Sequence, residues 1–402
     1  MQKVHFMLAK AVVENVEEIF NQNKYADKVI EKCLKSQKNR GAQDRAFIAE
    51  NTYEIVRWWR QLVFLSNYKE SDKINYWDIL ATHLYLNSGF VATWDTTTKF
   101  NPEKIKSSFK FVESNFELRE SYPHWLYTQL NSELSTEKVD SILVAMNEPS
   151  KVSIRVNTLK NSNDELAKTL KTIGISISKS SYSTNGFVLT ERSNVFSTEP
   201  FKNGLFEIQD IGSQVISEYL DVKPGMRVID ACAGAGGKTI HLAALMQNKG
   251  SLIAMDLEEW KLNELKKRAR RAGSSIIQTK IIESSKTIKR LENSCDRLLL
   301  DVPCSGIGVI RRNPDAKWKL NKEFIARVQQ EQENILDQYP KMLKSNGILV
   351  YATCSVLPSE NEKQVEKFLQ KHSGAFELLQ MQTLYPDNLE TDGFFMAKIV
   401  KK

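Results

Sequence analysis

The sequence predicts an α/β protein built on a mostly parallel, Rossmann-like sheet, preceded by a helical domain and a small α/β module. Three observations lead there. From residue 205 onward, short apolar runs alternate with amphipathic ones, the pattern of strands and covering helices. Up to residue 118 the apolar residues keep helical spacing. Between these regions the periodicity switches back and forth over short distances.

In residues 1–118, Val12, Val13, Val16, Ile19 and Phe20 share one helical face, as do Ile48, Thr52, Ile55, Val56 and Trp59. This predicts a bundle with its basic residues outside and with Trp58 and Trp59 in core and rim. In residues 119–204, a helical "HWLYTQLNSEL" precedes a strand "VSIRVNTL". A helix "NDELAKTLKTIG" follows, with Asn163 or Asp164 as its cap and Gly174 as its stop, and then "ISISKS" and "GFVLT". Arg155 and Asn157 read here as ordinary surface polar groups on a strand.

In residues 205–402, the strands "RVIDACA", "GSLIAMD", "IIQTKIIE", "DRLLLDVP" and "GILVYATCS" alternate with helical segments, and "FELLQMQ" and "FFMAKIVKK" close the chain. Ligands of such sheets bind beyond the carboxyl ends of the strands. Asp230 with Cys232, Asp256, Asp301 with Cys304, and Cys354 all fall at such ends.

At 402 residues the chain is long enough for two or three domains, and a formal charge of +7 suits a phosphate-bearing partner without requiring one. The five cysteines, at 33, 232, 295, 304 and 354, have neither disulfide nor zinc spacing, so no metal is expected. Lys10, Glu14, Glu17 and Glu18 interrupt the apolar residues of the first segment, which reads as neither signal peptide nor membrane span. Free thiols without export predict a cytoplasmic protein; no membrane partner and a monomeric state are separate expectations.

"DACAGAGGKT" comes within one residue of a phosphate-binding loop, with Cys232 where GxxxxGK[ST] requires its first glycine. Asp230, just before the turn, would repel a polyphosphate. Gly234, Gly236 and Gly237 permit close backbone approach, and Asp256 closes the next strand where such folds hold a ribose. These features fit S-adenosylmethionine better than NAD.

Cys304 and Cys354 stand on the same rim, the first just after Asp301. Such a pair suits methylation of a pyrimidine ring. A thiolate adding at carbon 6 makes carbon 5 nucleophilic, and a carboxyl group can stabilise charge at N3. Spacing alone leaves open which cysteine attacks.

"DACAGAGGKT", "LDVPCSGIGVIRRNPDAKW", "YATCSVLPSENE" and "DGFF" resemble the Nop/Sun family of RNA 5-methylcytosine methyltransferases, and the helical part resembles the NusB-like extension of its bacterial small-subunit ribosomal RNA members of the B type. The resemblance implies a class I S-adenosylmethionine-dependent methyltransferase fold, with RNA-binding roles for the helical domain and for a small RRM-like module. It implies Cys354 as nucleophile, Cys304 in product release and Asp301 as the catalytic carboxyl group. It also implies cofactor contacts at Cys232, Ala233, Gly234, Ala235, Gly236, Gly237, Lys238, Asp256 and Asp301. Where the family has an aspartate after the third strand, this chain offers Glu283 or Ser284. Where it commonly has AlaProGly in the turn, this chain has GlyAlaGly.

"VIRRNPDAKWK" follows Cys304, so Arg311, Arg312, Lys317 and Trp318 are expected to meet RNA. Lys266, Lys267, Arg268, Arg270 and Arg271 read as a solvated face or peripheral backbone contact. The expected activity is RNA (cytosine-5) methylation, of ribosomal RNA by the B-type resemblance. The alternatives are a methyltransferase acting on transfer RNA and a non-catalytic RNA-binding assembly factor, with a nucleotide hydrolase more distant.

Overall fold

Helix signals at the start of the chain are locally complete. In the computed structural model, which describes residues 4–37, 39–69, 72–191, 193–387 and 391–402, they form one compact unit from residues 1–148 together with 310–321. Its helices are α1 (Phe6–Asn21), α2 (Ala26–Ser36), α3 (Ala42–Arg57), α4 (Trp59–Leu65), α5 (Tyr76–Ser88), α6 (Pro102–Ser114), α7 (Phe116–Arg119), α8 (His124–Asn131) and α9 (Thr136–Asn147). Asn101 caps α6 by accepting from the Lys104 N–H, and Pro102 occupies the first turn, where no donor is missed. Val12, Val16, Ile48, Ile55 and Ile79 meet in the core, with Trp58 and Trp59 at its rim. Helices α8 and α9, which the sequence pattern grouped with the small module, lie in this unit.

The second unit comprises residues 149–309 and 322–402. It begins with β1 (Ser153–Val156), α10 (Asn163–Thr172), β2 (Ile177–Lys179), β3 (Gly186–Leu189), α11 (Glu199–Lys202) and β4 (Phe206–Ile208). The strands form an antiparallel sheet in the order β2-β3-β1-β4. With two helices in a βαββαβ chain order, this is a ferredoxin-like module. The cap of α10 is Ser162 rather than Asn163 or Asp164. Its hydroxyl accepts from the Glu165 N–H while the Glu165 carboxylate accepts from the Ser162 N–H, a reciprocal capping box.

Next come α12 (Ile211–Tyr219), β5 (Arg227–Asp230), α13 (Gly237–Leu245), β6 (Ser251–Asp256), α14 (Glu259–Ala272), β7 (Ile277–Ile281), α15 (Ser285–Lys289) and β8 (Cys295–Asp301). After α16 (Ala316–Lys319), which belongs to the helical unit, follow α17 (Lys322–Gln338), β9 (Leu343–Thr353), α18 (Glu362–Lys371), β10 (Phe376–Leu384) and β11 (Phe394–Lys401). The sheet order is β10-β11-β9-β8-β5-β6-β7, parallel from β9 to β7, with β11 antiparallel to both of its neighbours. Ile229, Leu298, Leu300 and Leu349 pack on one face and Val228, Leu299, Val350 and Met396 on the other, so both faces are buried.

The order in which successive strands are added reverses between the parallel neighbours β5 and β8, a crevice-forming switch point. Register then brings the chemistry together, because Asp230 pairs with Leu299, and Asp301 with Ala352. The loops carrying Cys232, Cys304 and Cys354 therefore leave adjacent strands at one edge. Among the described residues no helix is long and apolar enough to cross a membrane.

Candidate active site

The turn after β5 is fixed by its own backbone and by the next strand. Ala233 N–H donates to the Met255 carbonyl (2.9 Å), and Gly236 N–H to the Ala233 carbonyl (2.9 Å). Gly234 N–H donates to Asp256 Oδ2 (2.9 Å), and Glu258 N–H to Asp256 Oδ1 (2.9 Å). Gly236 sits at φ +87°, and a Cβ there would come within 2.5 Å of Leu265 Cγ, so this position requires glycine twice over.

Asp230 is buried. Thr239 Oγ1 donates to its Oδ2 (2.7 Å), while its Oδ1 has no hydrogen-bond partner. Burial pushes its carboxyl up to about 7, and the nearby Asp301 charge adds to the effect. Burial, followed by the Asp230, Asp301 and Asp256 charges, likewise drives the Cys232 thiol well above its ordinary range. Cys232 is a neutral wall of the site, not a nucleophile.

A cavity of about 590 Å³ opens past Cys232 and Asp256, and Glu283, Ser284, Pro303 and Tyr339 also line it. Its acidic lining groups are Asp256, Glu258, Glu283 and Glu331, against Lys261 alone as a cation. Lys261 is itself paired with Glu258 at 2.8 Å. Such a lining repels a polyphosphate and suits a ligand with hydroxyls and positive charge. S-adenosylmethionine fits; ATP and NAD fit poorly. Glu283 and Ser284 both occupy the wall.

Lys238, in the first turn of α13, donates to Asp301 Oδ2 at 2.6 Å. Burial disfavours the ammonium, but Asp301 outweighs it, with Cys354 contributing, and the Lys238 pKa rises. The lysine that resembled a phosphate grip is therefore the counter-charge of the candidate catalytic carboxylate.

Cys304 Sγ and Cys354 Sγ lie 3.2 Å apart, in hydrogen-bond contact. The hydrogen bond with Cys354, reinforced by burial, drives the Cys304 thiol well above its usual range.

Glu360 was not anticipated from sequence, although it stands in the quoted "SENE". Fully buried, its Oε2 accepts from Ser305 N–H (2.7 Å) and Gln332 Nε2 (3.1 Å), and its Oε1 from Ser355 Oγ (2.8 Å). Asn361 Nδ2 donates to the Ser355 carbonyl (3.0 Å). Gly308 N–H donates to the Cys354 carbonyl (3.0 Å), and Gly393 N–H to the Gly308 carbonyl (2.7 Å). One carboxylate thus ties together the residues that follow the two cysteines.

The basic run after Cys304 departs from expectation. Lys317 is fully buried in the helical unit, its ammonium donating to the carbonyls of Arg57 (3.2 Å), Glu120 (3.4 Å) and Ser121 (3.3 Å) and to Asn147 Oδ1 (2.6 Å). Arg311 is buried, and its carbonyl accepts from Arg57. Trp318 packs beside Ile19 and Val56, its indole donating to the Val56 carbonyl (2.7 Å). Arg311 and Lys317 are thus buried within the helical unit, whereas Arg312 and Trp318 are each partly exposed. Among the described residues no His, Cys, Asp and Glu group could hold a metal ion.

Comparison with known proteins agrees with this geometry. The family model described as 16S rRNA methyltransferase RsmB/F matches residues 217–400, and that of the RsmF/B-like ferredoxin-like domain matches residues 122–196. The ribosomal RNA small subunit methyltransferase B of Proteus mirabilis is 35% identical over 293 residues, covering 72% of this chain and 68% of that protein. The protein of the same name from Citrobacter koseri is 29% identical over 394 residues, covering 90% and 91%. The crystal structure of a methyltransferase homologue from Pyrococcus horikoshii superposes with a TM-score of 0.64 at 34% identity, over 71% of this chain and 98% of that one. With the turn, the acidic cavity and the paired thiols all beyond the carboxyl ends of the parallel strands, the chain belongs to the RsmB/F family of S-adenosylmethionine-dependent RNA methyltransferases.

Proposed function

We propose that the protein methylates carbon 5 of a cytosine in small-subunit ribosomal RNA, with Cys354 as nucleophile and Cys304 assisting release. The observation that supports this most is the thiol pair, 3.2 Å apart, on the same strand edge as the Lys238–Asp301 ion pair. Asp256 and the Ala231–Gly237 turn would hold S-adenosylmethionine, which supplies an electrophilic methyl group when bound.

Cys354 sulfur, its proton given up to water, bonds to carbon 6 of the base. The electron pair of the carbon 5–carbon 6 double bond shifts toward the ring carbonyl and N3. A proton shared along Lys238–Asp301 neutralises N3. Once carbon 5 bears the new methyl group, its hydrogen leaves as a proton to water. The resulting electron pair re-forms the double bond and expels the Cys354 thiolate, and the N3 proton returns to the Lys238–Asp301 pair. The Cys304 S–H, already in contact with that sulfur, stabilises it by hydrogen bonding as it departs. The target base must be unpaired or flipped out to reach the pair. We place the reaction in the cytoplasm and read the enzyme as a monomer, which light scattering tests.

The test is release of tritium from RNA labelled at carbon 5 of cytosine, combined with bisulfite mapping of ribosomal and transfer RNA with and without active protein. S-adenosylmethionine-dependent release that maps to small-subunit ribosomal RNA is expected. Salt-sensitive RNA binding without release would instead identify a non-catalytic assembly factor, and a new mark confined to transfer RNA would overturn the substrate assignment.

A further inference from the structure

The polar face of the ferredoxin-like sheet is not a surface. Ile154 and Val156 of β1 point into the module's own core, so Arg155 and Asn157 point to the other side. There both are buried. Arg155 Nη1 donates to the carbonyl of Gly237 (2.9 Å) and to Gln209 Oε1. Its cross-strand neighbour Glu207, on β4, accepts from Arg268 (3.0 Å) and Arg271 (2.5 Å) of α14. Arg268 Nη1 in turn donates to the carbonyl of Ala235 (2.9 Å). Asn157 Nδ2 bonds the carbonyls of Gly204 and Ala272, each at 2.8 Å.

Two arginines therefore hold two carbonyls of the glycine turn from the side of the module. The turn's own hydrogen bonds run through the N–H groups of Ala233, Gly234 and Gly236, whereas its Ala235 carbonyl is held by Arg268. Gly234 and Gly236 adopt φ of +52° and +87°, and no proline stiffens Ala235 between them. Glycine-rich backbone loses the most freedom on ordering, so an unsupported turn would have to be ordered by its ligand at the expense of affinity.

We infer that the ferredoxin-like module is a working part of the cofactor site, in which Arg155 and Arg268, held by Gln209 and Glu207, are positioning residues that pre-order the glycine turn for S-adenosylmethionine. This rests on the cofactor reading of the turn. The module's role toward the cofactor is separate from any contact it makes with RNA.

The experiment uses the full-length protein and S-adenosylmethionine alone, by calorimetric titration, with melting temperature and steady-state kinetics measured on the same samples. Arg268 keeps 26% of its side chain exposed, so Arg268→Ala removes one grip with limited loss of packing. Its affinity is expected to fall about tenfold, as for a lost charged hydrogen bond, through KM for the cofactor more than kcat and with KM for RNA in place. Arg268→Lys keeps the charge but not the two-acceptor fork and is expected between Arg268→Ala and wild type. Glu207→Gln, which loosens both arginines of α14, is expected to weaken binding likewise. Wild-type affinity in both Arg268→Ala and Glu207→Gln overturns the inference, as does a loss that merely tracks a fall in melting temperature. Failure of the wild-type protein to take up S-adenosylmethionine overturns the cofactor reading as well.

Discussion

The sulfur of Cys304 lies 3.2 Å from that of Cys354, although 50 residues separate them in the chain. Register produces the pairing: Asp301 stands opposite Ala352 in parallel strands, so the residues just past each strand end meet. That contact and burial push the Cys304 thiol above its usual range. Replacing Cys354 by Ala is therefore expected to abolish methyl transfer. Cys304→Ala is expected to trap a covalent protein–RNA adduct, seen as a shifted band on a denaturing gel. A band with Cys354→Ala and none with Cys304→Ala would exchange the two roles.

Lys238 and Asp301 form one functional unit at 2.6 Å. Lys238→Met and Asp301→Asn are each expected to lower kcat by about a hundredfold or more, the scale of a lost transition-state contact. The double variant is expected to be little worse than the poorer single one, because either change already breaks the unit. Strictly multiplicative losses in single-turnover rates would show that the two act independently.

Asp230 predicts a pH dependence of stability with a definite sign. Its folded-state value, about 7, lies above its ordinary 3.8 because burial disfavours the charge. The protonated form is the one that suits the fold. Its contribution is complete below the ordinary value and is lost as pH rises through about 7, on the order of a few kcal/mol. Asp230→Asn keeps an acceptor for Thr239 without the ionisation. Urea unfolding from pH 4.5 to 8 is expected to give the variant a flatter stability profile than wild type.

Glu360 fixes the two cysteine loops to each other. Glu360→Ala leaves Ser305 N–H, Ser355 Oγ and Gln332 Nε2 without their acceptor in a dry interior, a destabilisation of about 3–5 kcal/mol. Glu360→Gln, similar in size, retains one acceptor and is expected to recover part of that loss and part of the kcat. Denaturant unfolding and adduct formation, measured together, separate folding from positioning.

The strands of the large sheet were legible because each is an apolar run bounded by a turn, and the acids at their ends stand out against such runs. Asp256 and Asp301 could be placed from that pattern alone. Burial of a polar side chain depends on what covers it, which period-2 alternation does not encode. The alternation in "VSIRVNTL" therefore marked Arg155 and Asn157 as facing away from the module core but gave no sign of α13 and α14 beyond them. Glu360 was obscured similarly, because its partners Ser305 and Gln332 are distant in sequence and "SENE" has the composition of a solvated loop. The only available signal was its position just past the cysteine strand. Lys317 misled because a run of cations normally faces water. Here three backbone carbonyls from two separate segments, together with Asn147 Oδ1, satisfy the ammonium instead.

The helical unit is discontinuous, since residues 310–321 complete a body begun at the other end of the chain. During synthesis the first 148 residues must wait for the insertion of Lys317 and Trp318, by which time β5 to β8 have already emerged. Until then the carbonyls of Val56, Arg57, Glu120 and Ser121 lack these donors. The N-terminal part is thus no detachable appendage. The order of translation makes its maturation a late event, timed by the arrival of the segment that follows Cys304.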